Sequence, residues 1–147
     1  MDAARRFVFR HEWRVPQSSR PVAEVLLDLG GYPTWWPQVR AVVRLGEDDA
    51  WVRCRSLLPY TLDLLLHAES RQPPLLETSL GGDLTGWVRW RLAPEHGGTR
   101  LHFEQEVDLS SAWLARLARP LEPLLRWNHH VMMEGCRRGL AARLNMT

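Results

Sequence analysis

From residue 7 the chain alternates: Phe7, Phe9, His11, Trp13 and Val15 interleave with Val8, Arg10, Glu12 and Arg14, the two-residue period of a half-buried strand. The period then changes. Ser18 or Ser19 can cap a helix, Pro21 suits its first turn, and Val22, Val25, Leu26 and Leu29 form a helical stripe that Gly30-Gly31 ends. In Tyr32-Pro33-Thr34-Trp35-Trp36-Pro37 two prolines bracket two indoles and allow no more than about one further helical turn.

From Val39 short alternating runs recur between turn-forming residues, which predicts strands over 39–45, 50–57, 60–69, 75–80, 83–92 and 99–108. The breaks are Gly46-Glu47-Asp48-Asp49, Pro59, Pro73-Pro74, Gly81-Gly82-Asp83 and Glu95-His96-Gly97-Gly98. Beyond Leu109 the helical period returns. Ser110 or Ser111 can cap the longest helix, whose apolar positions include Leu114, Leu117, Leu121, Leu124, Leu125, Val131, Met132, Leu140 and Leu144. Pro120 and Pro123 predict a kink in its first third. Gly135 and Gly139 leave room for another backbone to approach the later turns.

This order contains no parallel crossover unit. The fold class is therefore α+β: a seven-stranded curved antiparallel sheet, two short helices after strand one, and a long C-terminal helix across the concave face. Alternation places Trp13, Ala41, Val43, Tyr60, Leu62, Leu64, Leu66, Leu76, Thr78, Leu84, Gly86, Val88, Trp90, Leu101, Phe103 and Gln105 on that face. Apolar walls with sparse polar tips suit a small-molecule cavity, and a solid core reads similarly.

Composition narrows the classes. At 147 residues, with 45% hydrophobic and 24% charged positions, one globular domain spanning 1–147 is expected. A formal net charge of +2 with interleaved acids is no nucleic-acid footprint. Lysine and isoleucine are absent, which reads as codon usage rather than a demand for arginine forks. Met1 to Trp13 lacks the apolar run of a signal peptide, and no window approaches the length of a membrane span, so a cytoplasmic location without an integral membrane segment is expected. Cys54 and Cys136 are too few and too far apart for a metal site or a disulfide framework. With no phosphate loop, nucleotide fingerprint or Ser-His-Asp arrangement, neither cofactor nor metal is expected.

Several residues carry candidate chemistry. Trp35 and Trp36 could gate a cavity mouth or cap the core. Asn128 falls on the apolar helical stripe, where its amide needs a partner and could orient a ligand carbonyl. His129 and His130 point about 100° apart on a helix, so at most one faces inward and they cannot form a metal pair. His130 is a candidate general acid or base, or a structural histidine bonded to backbone. Tyr60 and Gln105 could bring a phenol and an amide to the same space, or serve only as structural hydrogen-bonding groups. Arg53, Arg55, Arg89 and Arg91 alternate outward, where they either pair across strands with Glu104 or Glu106 or recognise an anion, the first being the commoner role.

Four segments, in their order and spacing, resemble a known superfamily. They are Tyr32-Pro33-Thr34-Trp35-Trp36-Pro37-Gln38-Val39 after the first helix, Leu58-Pro59-Tyr60 between strands, Gly82-Asp83-Leu84-Thr85-Gly86 before a strand, and Trp127-Asn128-His129-His130 with Gly135 on the final helix. The chain is similar over nearly its whole length to the START-like or SRPBCC superfamily with its helix-grip fold, and within it to the bacterial polyketide cyclase/dehydrase-like group. The resemblance implies a cavity between long helix and sheet that takes lipids, polyketides, isoprenoid quinones or other apolar molecules. It leaves catalysis open, since aromatase and cyclase members close and dehydrate a polyketone while many relatives only bind or carry ligands.

The expected partner is a small hydrophobic ligand. The expected cavity wall comprises Trp13, Trp35, Trp36, Tyr60, Leu62, Leu64, Leu76, Thr78, Leu84, Val88, Trp90, Phe103, Gln105, Leu124, Asn128 and Met132, with Tyr60 and His130 as the catalytic candidates. Binding without catalysis is the first reading. A polyketide aromatase or cyclase, an isoprenoid quinone carrier and a solid structural domain are the alternatives, and the oligomeric state, a homodimer included, stays open.

Overall fold

The computed structural model describes residues 6–110 and 112–146. Strand β1 (Arg6–Val15) is followed by helix α1 (Ser19–Leu27), a single 3₁₀ turn (Leu29–Gly31) and helix α2 (Tyr32–Trp35). Strands β2 (Val39–Arg44), β3 (Asp49–Cys54), β4 (Leu62–Gln72), β5 (Leu75–Gly82), β6 (Leu84–Glu95) and β7 (Gly98–Leu109) then lead into helix α3 (Ala112–Asn145). All neighbours are antiparallel, in the order β1-β7-β6-β5-β4-β3-β2. Five consecutive hairpins build β2 through β7. The first strand then docks on the last, with Phe9 opposite Gln105, so α1 and α2 must carry the chain from one sheet edge to the other.

Alternation fixes which face is buried. On β7, Thr99, Leu101, Phe103, Gln105 and Val107 are buried while their neighbours are partly exposed, and on β3 Ala50, Val52 and Cys54 do the same. Two of the four outward arginines sit on aromatic faces and among carboxylates: Arg53 lies over Trp51 and pairs with Asp63 at 2.8 Å, and Arg89 lies over Trp87 with Glu77 at 3.3 Å and Glu104 at 3.7 Å. Glu106 pairs instead with Arg6.

The β2 parity differs from the expected one. A register shift between Val39 and Ala41 turns the strand over, so Val39 and Val42 pack on the core while Val43 is 48% exposed. Ala41 and Val43 are therefore not on the inner face. At α1, Ser18 takes the N-cap position without a side-chain cap bond, and the Ser19 hydroxyl meets Thr99 Oγ1 at 3.1 Å instead.

Helix α3 bends where the prolines demand it. Leu121, between Pro120 and Pro123, leaves helical geometry with φ −113° and ψ 16°. Beyond the bend, Met133, Cys136, Leu140 and Leu144 are buried along one stripe, each such side chain contributing on the order of 1.5–3 kcal/mol. Gly139 lies so close to α2 that a Cβ there would stand 1.7 Å from the Trp35 carbonyl oxygen. The close approach expected at the helix glycines is thus made to α2. Ser111 and the side chains of Leu114 and Leu117 lie outside the described residues.

Candidate functional site

Between the concave face, the α1–α2 segment and α3 lies a cavity of about 370 Å³. Each strand contributes every second residue to its wall: Leu62, Leu64 and Leu66 from β4, Leu76, Thr78 and Leu80 from β5, Leu84, Val88 and Trp90 from β6, and Phe103, Gln105 and Val107 from β7. Helix α3 closes it with Leu125, Asn128, His129, Met132 and Met133. Trp36 reaches the wall because its indole Nε1–H donates to the Met132 carbonyl at 2.9 Å, which pins the end of α2 to α3.

The exposed wall residues, Leu27, Asp28, Gly30, Arg44, Glu47, Asp49 and Arg71, all gather at one end, so the cavity opens there between the 28–30 segment and the β2–β3 turn. Charges at this rim are paired among themselves: Arg71 with Asp48, and His67 Nδ1 with Asp49 Oδ1 at 2.8 Å.

Thirteen of the residues expected on the wall lie there: Trp36, Tyr60, Leu62, Leu64, Leu76, Thr78, Leu84, Val88, Trp90, Phe103, Gln105, Asn128 and Met132. Three do not, and neither does the catalytic candidate His130. Trp13 packs on Trp90 at 5.7 Å, and Trp90 on Phe103 at 4.9 Å, so Trp13 stands behind the wall. Trp35 stacks on the far side of Trp36 under α3, where Gly139 meets its carbonyl. Leu124 shares a face with Asn128, but one turn earlier, and is 42% exposed. His130 is exposed, and His129 takes the inward position.

Two polar pairs face the cavity. In the first, His129 Nε2 and Gln105 Oε1 are 2.8 Å apart, and the imidazole stacks on Phe9 with ring centres 3.6 Å apart and planes inclined by 10°. His129 keeps partial accessibility because it borders the cavity, yet protein groups surround the ring. Burial above all, then the neighbouring His11, His130 and Arg126, lowers its pKa to about 3, so the ring is neutral near pH 7. A neutral imidazole bonded to an amide is a positioned dipole and a weak base.

In the second pair Asn128 acts mainly on the backbone. Its Oδ1 accepts from the Leu57 N–H at 2.9 Å and the Leu58 N–H at 3.0 Å, while its carbonyl accepts from Ser56 Oγ at 3.1 Å. Its Nδ2 donates to the Tyr60 hydroxyl at 3.4 Å. The amide expected to orient a ligand carbonyl is therefore committed to the β3–β4 connection through its oxygen and to Tyr60 through its nitrogen. Burial raises the Tyr60 pKa, and the phenol stays protonated.

The two thiols are apart and buried. Burial pushes Cys54 up to about 12 and Cys136 well above its usual value, which suppresses the reactive thiolate. Among the described residues no three His, Cys, Asp or Glu side chains are placed to hold a metal. No helix there is long and apolar enough to cross a membrane.

His129 is the consequential residue absent from the expected wall. Its signal lay in the stripe Leu125, His129, Met133, Cys136 and Leu140, spaced by three or four residues, which competes with the stripe through Leu124 and Asn128. Phe9, Val52 and Cys54 also line the cavity and were legible in strand alternation alone.

This architecture is the START-like helix-grip fold, and solved structures share it. A START superfamily protein from Mycobacterium smegmatis superposes with a TM-score of 0.77 at 14% identity, over 95% of this chain and 97% of that one. A protein from Thermus thermophilus gives 0.83 at 17% identity, over 95% and 98%. The Zhui aromatase/cyclase from Streptomyces sp. R1128 gives 0.79 at 13% identity, over 96% and 94%. Neither a protein-family model nor a curated protein sequence matches the chain.

Proposed function

We propose that the protein binds a small hydrophobic ligand in the cavity between its sheet and α3, as a carrier or sequestering module. The observation that carries this is the cavity itself: about 370 Å³ of space, walled by alternate apolar residues of β4 through β7 and open at a charged rim. Small-molecule sites begin at about 300 Å³ and share this lining, with few polar groups fixing orientation. The fold shared with a START superfamily protein supports the reading.

Ligand capture tests it. Native mass spectrometry of the protein with a panel of neutral lipids, polyketide-like aromatics and isoprenoid quinones should show a 1:1 complex with at least one class. The same ligand should raise the melting temperature, since a guest that binds only the native state stabilises it. No bound species and no thermal shift across the panel would sink the proposal.

A polyketide cyclase is the second reading, favoured by the protonated Tyr60 phenol on the wall and by the fold shared with an aromatase/cyclase. A phenol can protonate an enolate. The neutral, bonded His129 is a poor base, and His130 lies outside, so any acid chemistry rests on Tyr60. Unchanged cyclised product in Tyr60→Phe would remove this reading.

A further inference from the structure

Gln105 is buried, 7% exposed, and points from β7 into the cavity. Its carboxamide has two ends with different fates. The oxygen is held by His129 Nε2 at 2.8 Å, whereas the Nε2 amino group has no partner among the described residues. Which end faces the cavity depends on the histidine tautomer. His129 Nδ1 is buried and has no hydrogen-bond partner. A proton on Nδ1 would be an orphaned donor in the interior, whereas a lone pair there leaves the cheaper kind of defect. The proton therefore sits on Nε2, donates to Gln105 Oε1, and turns the Gln105 NH₂ toward the cavity.

Unlike His129 Nδ1, this amino group is not sealed off, so a guest that displaces water from it without offering an acceptor leaves it unpaired at a cost of roughly 1–3 kcal/mol. The protein's own groups do not satisfy it, so the occupant should. The occupant should also be neutral: Asp28, Arg44, Glu47, Asp48, Asp49 and Arg71 stand at the rim, and His129 is uncharged. A buried carboxylate or phosphate would find no counter-charge at this depth.

We infer that the ligand is a neutral, largely apolar molecule bearing a carbonyl-type oxygen, and that the Gln105 Nε2 amino group, its orientation set by His129, is the donor that reads that oxygen. This rests on the cavity being a binding site, and it adds a chemical requirement to that reading.

Benzophenone and diphenylmethane, which differ by one carbonyl, separate the two ideas. In the wild-type protein, benzophenone should shift the side-chain amide ¹⁵N–¹H signals of Gln105 downfield, and diphenylmethane should not. Gln105→Met keeps the length of the side chain and removes the donor. It should weaken benzophenone binding about 3- to 10-fold, the worth of one net hydrogen bond, and leave diphenylmethane binding within about twofold. Equal loss for both ligands, no loss for either, or an unmoved Gln105 amide in the wild-type complex would overturn the inference while leaving the cavity a binding site. If neither compound binds and the wider ligand panel also fails, the cavity reading itself falls and the inference falls with it.

Discussion

At the scale of single residues, the imidazole of His129 couples the cavity to pH. Its folded-state pKa is lowered to about 3, whereas an unfolded histidine titrates near about 6.5. Between those values the unfolded chain binds a proton that the native state refuses, so stability falls as pH falls, with a limiting slope of about 1.4 kcal/mol per pH unit. His11 is shifted the same way. The lowered carboxyls of Asp63, Glu95 and Glu134 act in the same direction but only at lower pH. The difference between wild type and His129→Phe, taken from urea unfolding at pH 6.5, 5.75 and 5, isolates the imidazole. The variant should lose less stability over that range, and parallel losses would contradict the assignment.

That residue also marks what composition and spacing could resolve. Two adjacent histidines on a helix cannot both face inward, and the choice between them turned on which of two overlapping stripes the helix buries. The bend at Leu121 changes the helix direction ahead of Asn128, so Leu124 leaves the cavity while Leu125 and His129 enter it. Asn128 itself was legible as a polar side chain that must find partners. The identity of those partners was not, because the Leu57 and Leu58 amides reach it only through tertiary folding.

At the scale of elements, strand alternation was the readable signal and irregularity the unreadable one. The β7 pattern follows directly from Leu101, Phe103 and Gln105 facing one way. The shift between Val39 and Ala41 left no mark in composition, and a one-residue slip moves every later side chain to the other face. On α3 the two glycines look equivalent in sequence, yet they meet different things. A methyl group at Gly139 would press on the Trp35 carbonyl at 1.7 Å, which is backbone, whereas at Gly135 it would meet the end of the Gln38 side chain at 2.0 Å. Alanine gains about 1 kcal/mol in helix propensity at either site, while overpacking a fixed backbone costs about 1–3 kcal/mol or more. Gly139→Ala should therefore destabilise the fold by about 1–2 kcal/mol, and Gly135→Ala should stay within about 1 kcal/mol of wild type. Denaturant midpoints compare them, and equal effects would show that α3 does not seat on α2 as described.

At the scale of the whole molecule, the pairing of β1 with β7 and the bridge of α1 and α2 across the end of the sheet make a concave surface that one helix cannot fill completely. Hydrophobic pattern predicted the curved sheet and the covering helix, but pattern does not distinguish a hollow interior from a solid one. That distinction comes from the bent α3 and from small or short residues such as Thr78 and Val88 at the centre of the wall. Thr78 offers the most direct intervention, since a larger side chain there would occupy the space a ligand needs without displacing the surrounding core. The decisive measurement is titration of wild type and Thr78→Trp with whichever panel ligand the wild-type protein captures. Wild type should bind one equivalent, and Thr78→Trp, folded with a melting temperature near that of the wild type, should bind at least about tenfold more weakly. Equal affinity in the two proteins would place the ligand elsewhere and contradict the account.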